Sequence, residues 1–148
     1  MTTIVYNHKD KEIAFDSRSI HGNIIITDSA IKMEIHNDVV FFLAGCTSDF
    51  EMLISRYFSD KKKSRVDAEC FTYDNGVFYK AGVDSCGIFW RQQLTNNDTT
   101  GSGSIFALAA MDFGLNAKQA VEYAATRDIY TGGKVNVFKA SKLNELKV

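Results

Sequence analysis

The first third of the chain carries short apolar runs divided by polar turns, and over residues 30–36 apolar and polar positions alternate with a period of two, the signature of a half-buried strand. Ile4 and Val5 predict a strand over residues 2–7, and Glu12-Ile13-Ala14-Phe15 predicts a second over 11–16, around the polar turn His8-Lys9-Asp10. Residues 17–23 are polar and turn-rich. Over 30–36, Ile31, Met33 and Ile35 share one face and Lys32 and Glu34 the other, which predicts a half-buried strand ending at the turn Asn37-Asp38. Val39 to Ala44 is apolar on both faces and suits a central strand. The period then changes. Ser48-Asp49-Phe50-Glu51 reads as a capping box, and Phe50, Leu53, Ile54, Tyr57 and Phe58 recur at helical spacing, so residues 49–59 are expected to be helical. Asp74-Asn75-Gly76 between two β-rich runs predicts a hairpin over 69–80. Residues 87–94 predict another strand, and 96–100 a polar loop. Gly101-Ser102-Gly103-Ser104 leads into an apolar helix over 105–113, capped by Gly114. Asn116 with Gln119 opens a second helix to about Arg127. Residues 128–133 read as a turn, 135–138 as a strand, and 143–148 as a last short one.

The order is strands, one helix, strands, two helices, strands, with no βαβ alternation. That predicts an α+β fold of antiparallel sheets covered by helices. At 148 residues with 45% hydrophobic content, the chain is expected to form a single domain over 1–148. A formal charge of −1 gives no electrostatic case for nucleic acid or an anionic membrane. The basic run Lys61-Lys62-Lys63-Ser64-Arg65 reads as a solvated loop. No apolar run is long enough to span a bilayer and no signal peptide is recognisable, so a cytoplasmic protein is expected. Cys46, Cys70 and Cys86 are odd in number and irregularly spaced, as expected of reduced thiols. No His pair, CxxC or carboxylate cluster suggests a metal, and no cofactor motif is complete: the glycine-serine run lacks the lysine of a P-loop.

Candidate chemistry begins at the second residue. Thr2 is small enough for an aminopeptidase to remove Met1. Removal leaves a hydroxyl nucleophile and an α-amine base on one residue, the amine with a pKa of roughly 8. Asp16 closes the second strand. Lys32 is a strand lysine whose proton affinity burial would tune. Gly45 precedes a helix, where backbone N–H groups can face an anionic oxygen, or where a strand-to-helix turn simply needs glycine.

Taken in order, Thr-Thr-Ile-Val at the start, Ala-Phe-Asp-Ser-Arg at 14–18, Lys32, Leu43-Ala44-Gly45, Ser48-Asp49, Gly101-Ser102-Gly103-Ser104 and Asp128 with Thr131-Gly132 resemble the proteasome β-subunit family. The bacterial peptidase HslV belongs to the same group of N-terminal-nucleophile hydrolases. The resemblance covers nearly the whole chain. It implies an αββα sandwich of two antiparallel sheets covered by helices. The chain is shorter than is usual in the family, mostly after the first helix, so a shortened helical layer is expected.

The resemblance also implies roles. Thr2 matches the nucleophile, Asp16 its acidic partner, Lys32 the lysine that lowers the hydroxyl's proton affinity, and Gly45 the oxyanion donor. Ser102, Asp128 and Thr131 match the groups that orient the amine. Pocket-lining positions would be Ser19, Ala30, Glu34, Leu43 and Thr47, with Glu34 favouring a basic side chain. The expected activity is a threonine peptidase working through an acyl ester within a homo-oligomer, on peptide or unfolded protein; an ATPase unfoldase partner is compatible but no residue argues for it. The alternatives are a non-catalytic binding, scaffold or inhibitor protein of the same fold, and an amidohydrolase acting on a small amide. With no propeptide, activity would rest on Met1 removal. A compact version of this kind points towards a bacterium or one of its viruses.

Overall fold

The computed structural model describes residues 2–59 and 63–142. In chain order its strands and helices are β1 (Thr3–Asn7), β2 (Glu12–Phe15), β3 (Ser19–His21), β4 (Ile24–Thr27), β5 (Met33–His36), β6 (Val39–Gly45), a 3-10 turn (Thr47–Asp49) and α1 (Phe50–Phe58). There follow β7 (Ala68–Asp74), β8 (Val77–Val83), β9 (Phe89–Gln93), β10 (Asp98–Gly101), α2 (Ser104–Asp112), α3 (Ala117–Ala125), β11 (Asn136–Lys139) and a second 3-10 turn (Ala140–Lys142). They form two compact units: Lys32–Leu94, and the residues up to Ile31 together with those from Thr95 on. The α+β class is as expected, with every sheet antiparallel.

The unit that contains the chain's start has a four-stranded sheet in the order β10-β1-β2-β11. Both faces of β1 are buried. On one, Val5 and Ala14 pack against Ala107, Ala110 and Met111 of α2 and Ala117, Ala120, Val121 and Ala124 of α3. The alanines let the helices lie close to the sheet, where residues without flexible side chains lose little entropy on burial. The glycine stop is realised in full: Gly114 has φ +93°, its N–H bonds the Met111 carbonyl, and Leu115 N–H bonds that of Ala110. The reciprocal Asn116–Gln119 capping box opens α3.

The Lys32–Leu94 unit is a five-stranded sheet in the order β5-β6-β7-β8-β9. Phe41, Leu43, Cys70 and Ala81 on one face pack with Leu53 and Ile54 of α1. The expected Asn-Gly turn joins β7 and β8, with Asn75 at φ +49° and Gly76 at +83°. Among the described residues α1 is the only helix of this unit, a short helical layer.

Four expectations fail locally. Residues 17–23 are not merely turn: with 24–27 they form the β3–β4 ribbon, turning at Gly22 (φ +60°). Ile24, Ile25 and Ile26 are all exposed, so no alternation marks the strand. Residues 96–100 are not a loop but lead into β10, a polar strand whose Thr99 and Thr100 pair with Val5 and Ile4 of β1. The alternation expected at 30–36 does not hold. Ile31 is 86% exposed and Ile35 53%, while Lys32 is 8% exposed, Met33 is half-buried and Glu34 is exposed; β5 lies at a sheet edge. Finally, Ser48 and Glu51 make no capping box. A 3-10 turn precedes α1, and Asp49 uses its carboxylate to accept the Asp67 N–H at 2.8 Å. The strand expected at 143–148 lies outside the described residues.

Candidate active site

Five of the seven candidate catalytic positions converge in the unit that contains the chain's start. Strand pairing does the first part of the work. β1 lies between β10 and β2, so residues 2 and 3 emerge beside the end of β2, at Asp16, and beside the turn after β10, at Ser102. The turn after α3 brings Asp128, Thr131 and Gly132 to the same place.

Asp16 is fully buried and accepts at least four donors. Its Oδ1 takes the Thr2 hydroxyl and the Thr3 N–H (3.2 Å). Its Oδ2 takes the N–H groups of Gly132 (3.0 Å) and Arg18 (3.4 Å). A carboxylate removed from water needs its acceptor sites filled by protein donors, and these fill them. Asp128 is a second hub: Oδ2 accepts the Ser102 and Thr131 hydroxyls, both at 2.6 Å, and Oδ1 the Tyr130 N–H at 3.1 Å. The Ser102 oxygen also lies 3.4 Å from the Thr2 carbonyl.

Two glycines make the convergence possible. Gly101 has φ +98°, and a Cβ there would sit 1.8 Å from the Thr2 carbonyl oxygen. A Cβ at Gly103 would sit 2.2 Å from Thr3 Oγ1. The glycine-serine run is therefore shaped around residues 2 and 3.

Arg18 ties neighbouring segments together. Its guanidinium is bidentate to Asp28 (2.8 and 3.2 Å) and donates to the Ile129 carbonyl at 3.0 Å, so Asp28 is more than a turn residue. The carboxylate of Asp28 raises the Arg18 pKa further. A cavity of about 360 Å³ borders this clamp, lined by Ile20, Ile25, Arg127, Asp128 and Ile129 among others.

The remaining candidates sit as follows. Ser19 opens β3, half-buried, and Ala30 donates its N–H to the Ser17 carbonyl at 2.9 Å. Within Lys32–Leu94, Lys32 is buried just before β5, and its carbonyl accepts the Leu43 N–H at 3.0 Å. Gly45 ends β6 at φ +115°, where a Cβ would press to 2.6 Å from the Asp67 carbonyl, so chain packing already requires glycine. Glu34 is exposed, 3.4 Å from His36 Nε2. Leu43 is buried in the core beneath α1, and Thr47 is exposed at the 3-10 turn. Thr3, Arg18 and Gly132 are site residues that motif reading missed. A second threonine leading directly into the apolar strand positions Ile4 and Val5 was the available signal for Thr3.

No family model matches the chain. The chain is 26% identical to proteasome subunit beta type-8 of Canis lupus familiaris and 27% to that of Rattus norvegicus, each over 92% of its own length. It spans 63% of the length of those curated relatives. In structure it is similar to the eukaryotic HslV of Trypanosoma brucei (TM-score 0.71, 20% identity, 93% of this chain and 98% of that one). It is similar also to Thiobacillus denitrificans BPH in complex with epoxomicin (TM-score 0.69, 18% identity, 93% and 97%). The fold is thus that of the N-terminal-nucleophile hydrolases. In sequence the chain is similar to a proteasome β-subunit, and in fold to HslV.

Proposed function

We propose that this protein is an N-terminal threonine hydrolase that cleaves peptide bonds once Thr2 is its first residue. The observation that carries the reading is the convergence on Thr2. Its hydroxyl donates to buried Asp16, and the Asp128 hub holds Ser102 3.4 Å from its carbonyl. In the proposed reaction Thr2 Oγ1 attacks the substrate carbonyl while its proton passes to the freed α-amine, directly or through water. An acyl ester forms, the leaving amine departs with a proton, and water hydrolyses the ester. Ser102, Asp128 and Thr131 orient the amine. Lys32 lowers the proton affinity of the hydroxyl and the Gly45 N–H stabilises the oxyanion; both roles rest on the family resemblance and are tested by substitution. Ser19, Ala30, Glu34, Leu43 and Thr47 remain the proposed substrate-contacting positions, and the whole chain acts as one domain in the cytoplasm.

The protein works as a homo-oligomer in this reading. α2 supports it: its inner face packs on the sheet, yet Ile105 (78% exposed) and Leu108, with Phe113 (87%) just past the helix end, leave the outer face apolar too. A helix apolar all round is normally covered on both sides.

The test compares wild type with Thr2→Ala and Lys32→Ala on fluorogenic peptides, with intact mass reporting Met1 loss. Turnover by the wild type alone is expected. Equal turnover by all three, or none by a wild type lacking Met1, returns the protein to the non-catalytic alternative.

A further inference from the structure

We infer that Thr3 is a positioning residue that fixes the nucleophile through three polar contacts of its own; the inference rests on the proposed role of Thr2. Thr3 is fully buried. Each of its polar groups is bonded to a member of the site. Its N–H donates to Asp16 Oδ1 (3.2 Å), its carbonyl accepts the Asp16 N–H (3.3 Å), and its hydroxyl meets Thr131 Oγ1 at 2.6 Å. Residue 2 is covalently bound to this anchor, so its position relative to both Asp16 and the Asp128 hub is set by residue 3.

The direction of the hydroxyl chain follows from proton counting. An ionised carboxylate only accepts, so Thr131 and Ser102 both spend their single proton on Asp128 Oδ2. Thr3 must then donate to Thr131. Ser102 is left with lone pairs 3.4 Å from the Thr2 carbonyl, able to accept from an amine on residue 2. Thr3 closes the chain at its far end and keeps Thr131 from turning its proton away from Asp128. The site also makes room for it, since only a residue without a Cβ fits at Gly103 beside Thr3 Oγ1.

The experiment uses the full chain carrying Thr3→Val, which keeps the shape and removes the hydroxyl, and Thr3→Ser, which restores it. Two readouts are taken: kcat and KM on a fluorogenic peptide, and hydrogen exchange of the Thr3 and Gly132 amides. Thr3→Val is expected to lower kcat about tenfold at unchanged KM, and to accelerate exchange at both amides about tenfold, the worth of one buried hydrogen bond. Thr3→Ser is expected to recover both to within about twofold. Wild-type values for Thr3→Val, or no recovery by Thr3→Ser, overturn the inference. If the wild type cleaves no peptide, the hydrolase reading falls and exchange alone decides: faster exchange in Thr3→Val upholds the anchoring role, and unchanged exchange removes it.

Discussion

Replacing Asp16 by Asn should cost far more stability than replacing Asp128 by Asn, although both are buried carboxylates in one network. The difference lies in their donors. Asp16 Oδ2 faces two main-chain N–H groups, those of Gly132 and Arg18, and Oδ1 faces the Thr3 N–H with the Thr2 hydroxyl. A carboxamide must turn its NH₂ to one side or the other. Either way a fixed, buried N–H meets another donor, and it cannot rotate to relieve the conflict. A stranded buried donor costs about 1–3 kcal/mol, and the lost charge-assisted bonds add to it. The expected loss is therefore about 2–4 kcal/mol. At Asp128 the fixed donor is Tyr130 N–H on Oδ1, which an amide oxygen can keep. The partners on Oδ2 are the Ser102 and Thr131 hydroxyls, which can turn and accept from NH₂. The expected loss there is about 1 kcal/mol or less. Urea unfolding followed by the fluorescence of the single Trp90 reads both. For a chain of this size Tm should fall by about 5–15 °C for Asp16→Asn and by at most about 4 °C for Asp128→Asn. The two variants should still share one functional defect. In Asp128→Asn the hydroxyl chain is reversed and the Ser102 proton, no longer held by residue 128, competes with an amine on residue 2 for the space beside it, so activity falls while the fold holds. An Asp16→Asn variant within about 0.5 kcal/mol of wild type, or equal losses for the two, would refute the donor-counting argument.

Other expectations follow from single positions. Gly101→Ala should cost more than about 3 kcal/mol, because its Cβ meets the Thr2 carbonyl, whereas Gly114→Ala, at a similar φ but with nothing within 4 Å, should cost only about 1–2 kcal/mol; equal midpoints in urea would contradict this. Burial pushes the Cys70 thiol up, while Cys46 and Cys86 are exposed, so iodoacetamide should label two thiols in the folded protein and the third only on unfolding. The same shift has a sign in pH. The unfolded thiol ionises above about 8.5 and the folded one keeps its proton, so the contribution is full below that pH and is lost as pH rises, by about 1.4 kcal/mol per unit. The stability gap between wild type and Cys70→Ala should shrink accordingly between pH 7 and 9.5, and a constant gap would count against it. Ile105→Asp with Phe113→Asp should move the light-scattering mass towards 16.5 kDa; a wild type already at that mass removes the oligomer reading.

The sequence made the framework legible where local chemistry and tertiary need agree. The Asn-Gly hairpin, the Gly114 stop, the Asn116 cap and the doubly buried β6 are all of this kind. It misled where a strand gains its stability from neighbours. β10 is polar because its threonines pair with β1 and Thr99 donates to the Ser104 carbonyl, and no periodicity announces that. Lys32 was readable as a motif member, but its burial was not: the flanking Ile31 and Met33 suggested the opposite face would be the inner one. Of the site, the residues recognisable by motif were those whose type is chemically particular. Thr3, Arg18 and Gly132 escaped because a threonine, an arginine and a glycine have many ordinary uses, and their part emerges only when the donors around Asp16 and Asp128 are counted.

The most direct measurement is peptide mapping of the protein after exposure to a peptide ending in an electrophilic epoxide, which an activated hydroxyl opens to form a stable ether. Chains that have lost Met1 should gain one adduct each, located on Thr2, and Thr2→Ala should gain none. A processed wild type that stays unmodified, or an equal adduct on Thr2→Ala, would contradict the assignment of Thr2 as the nucleophile.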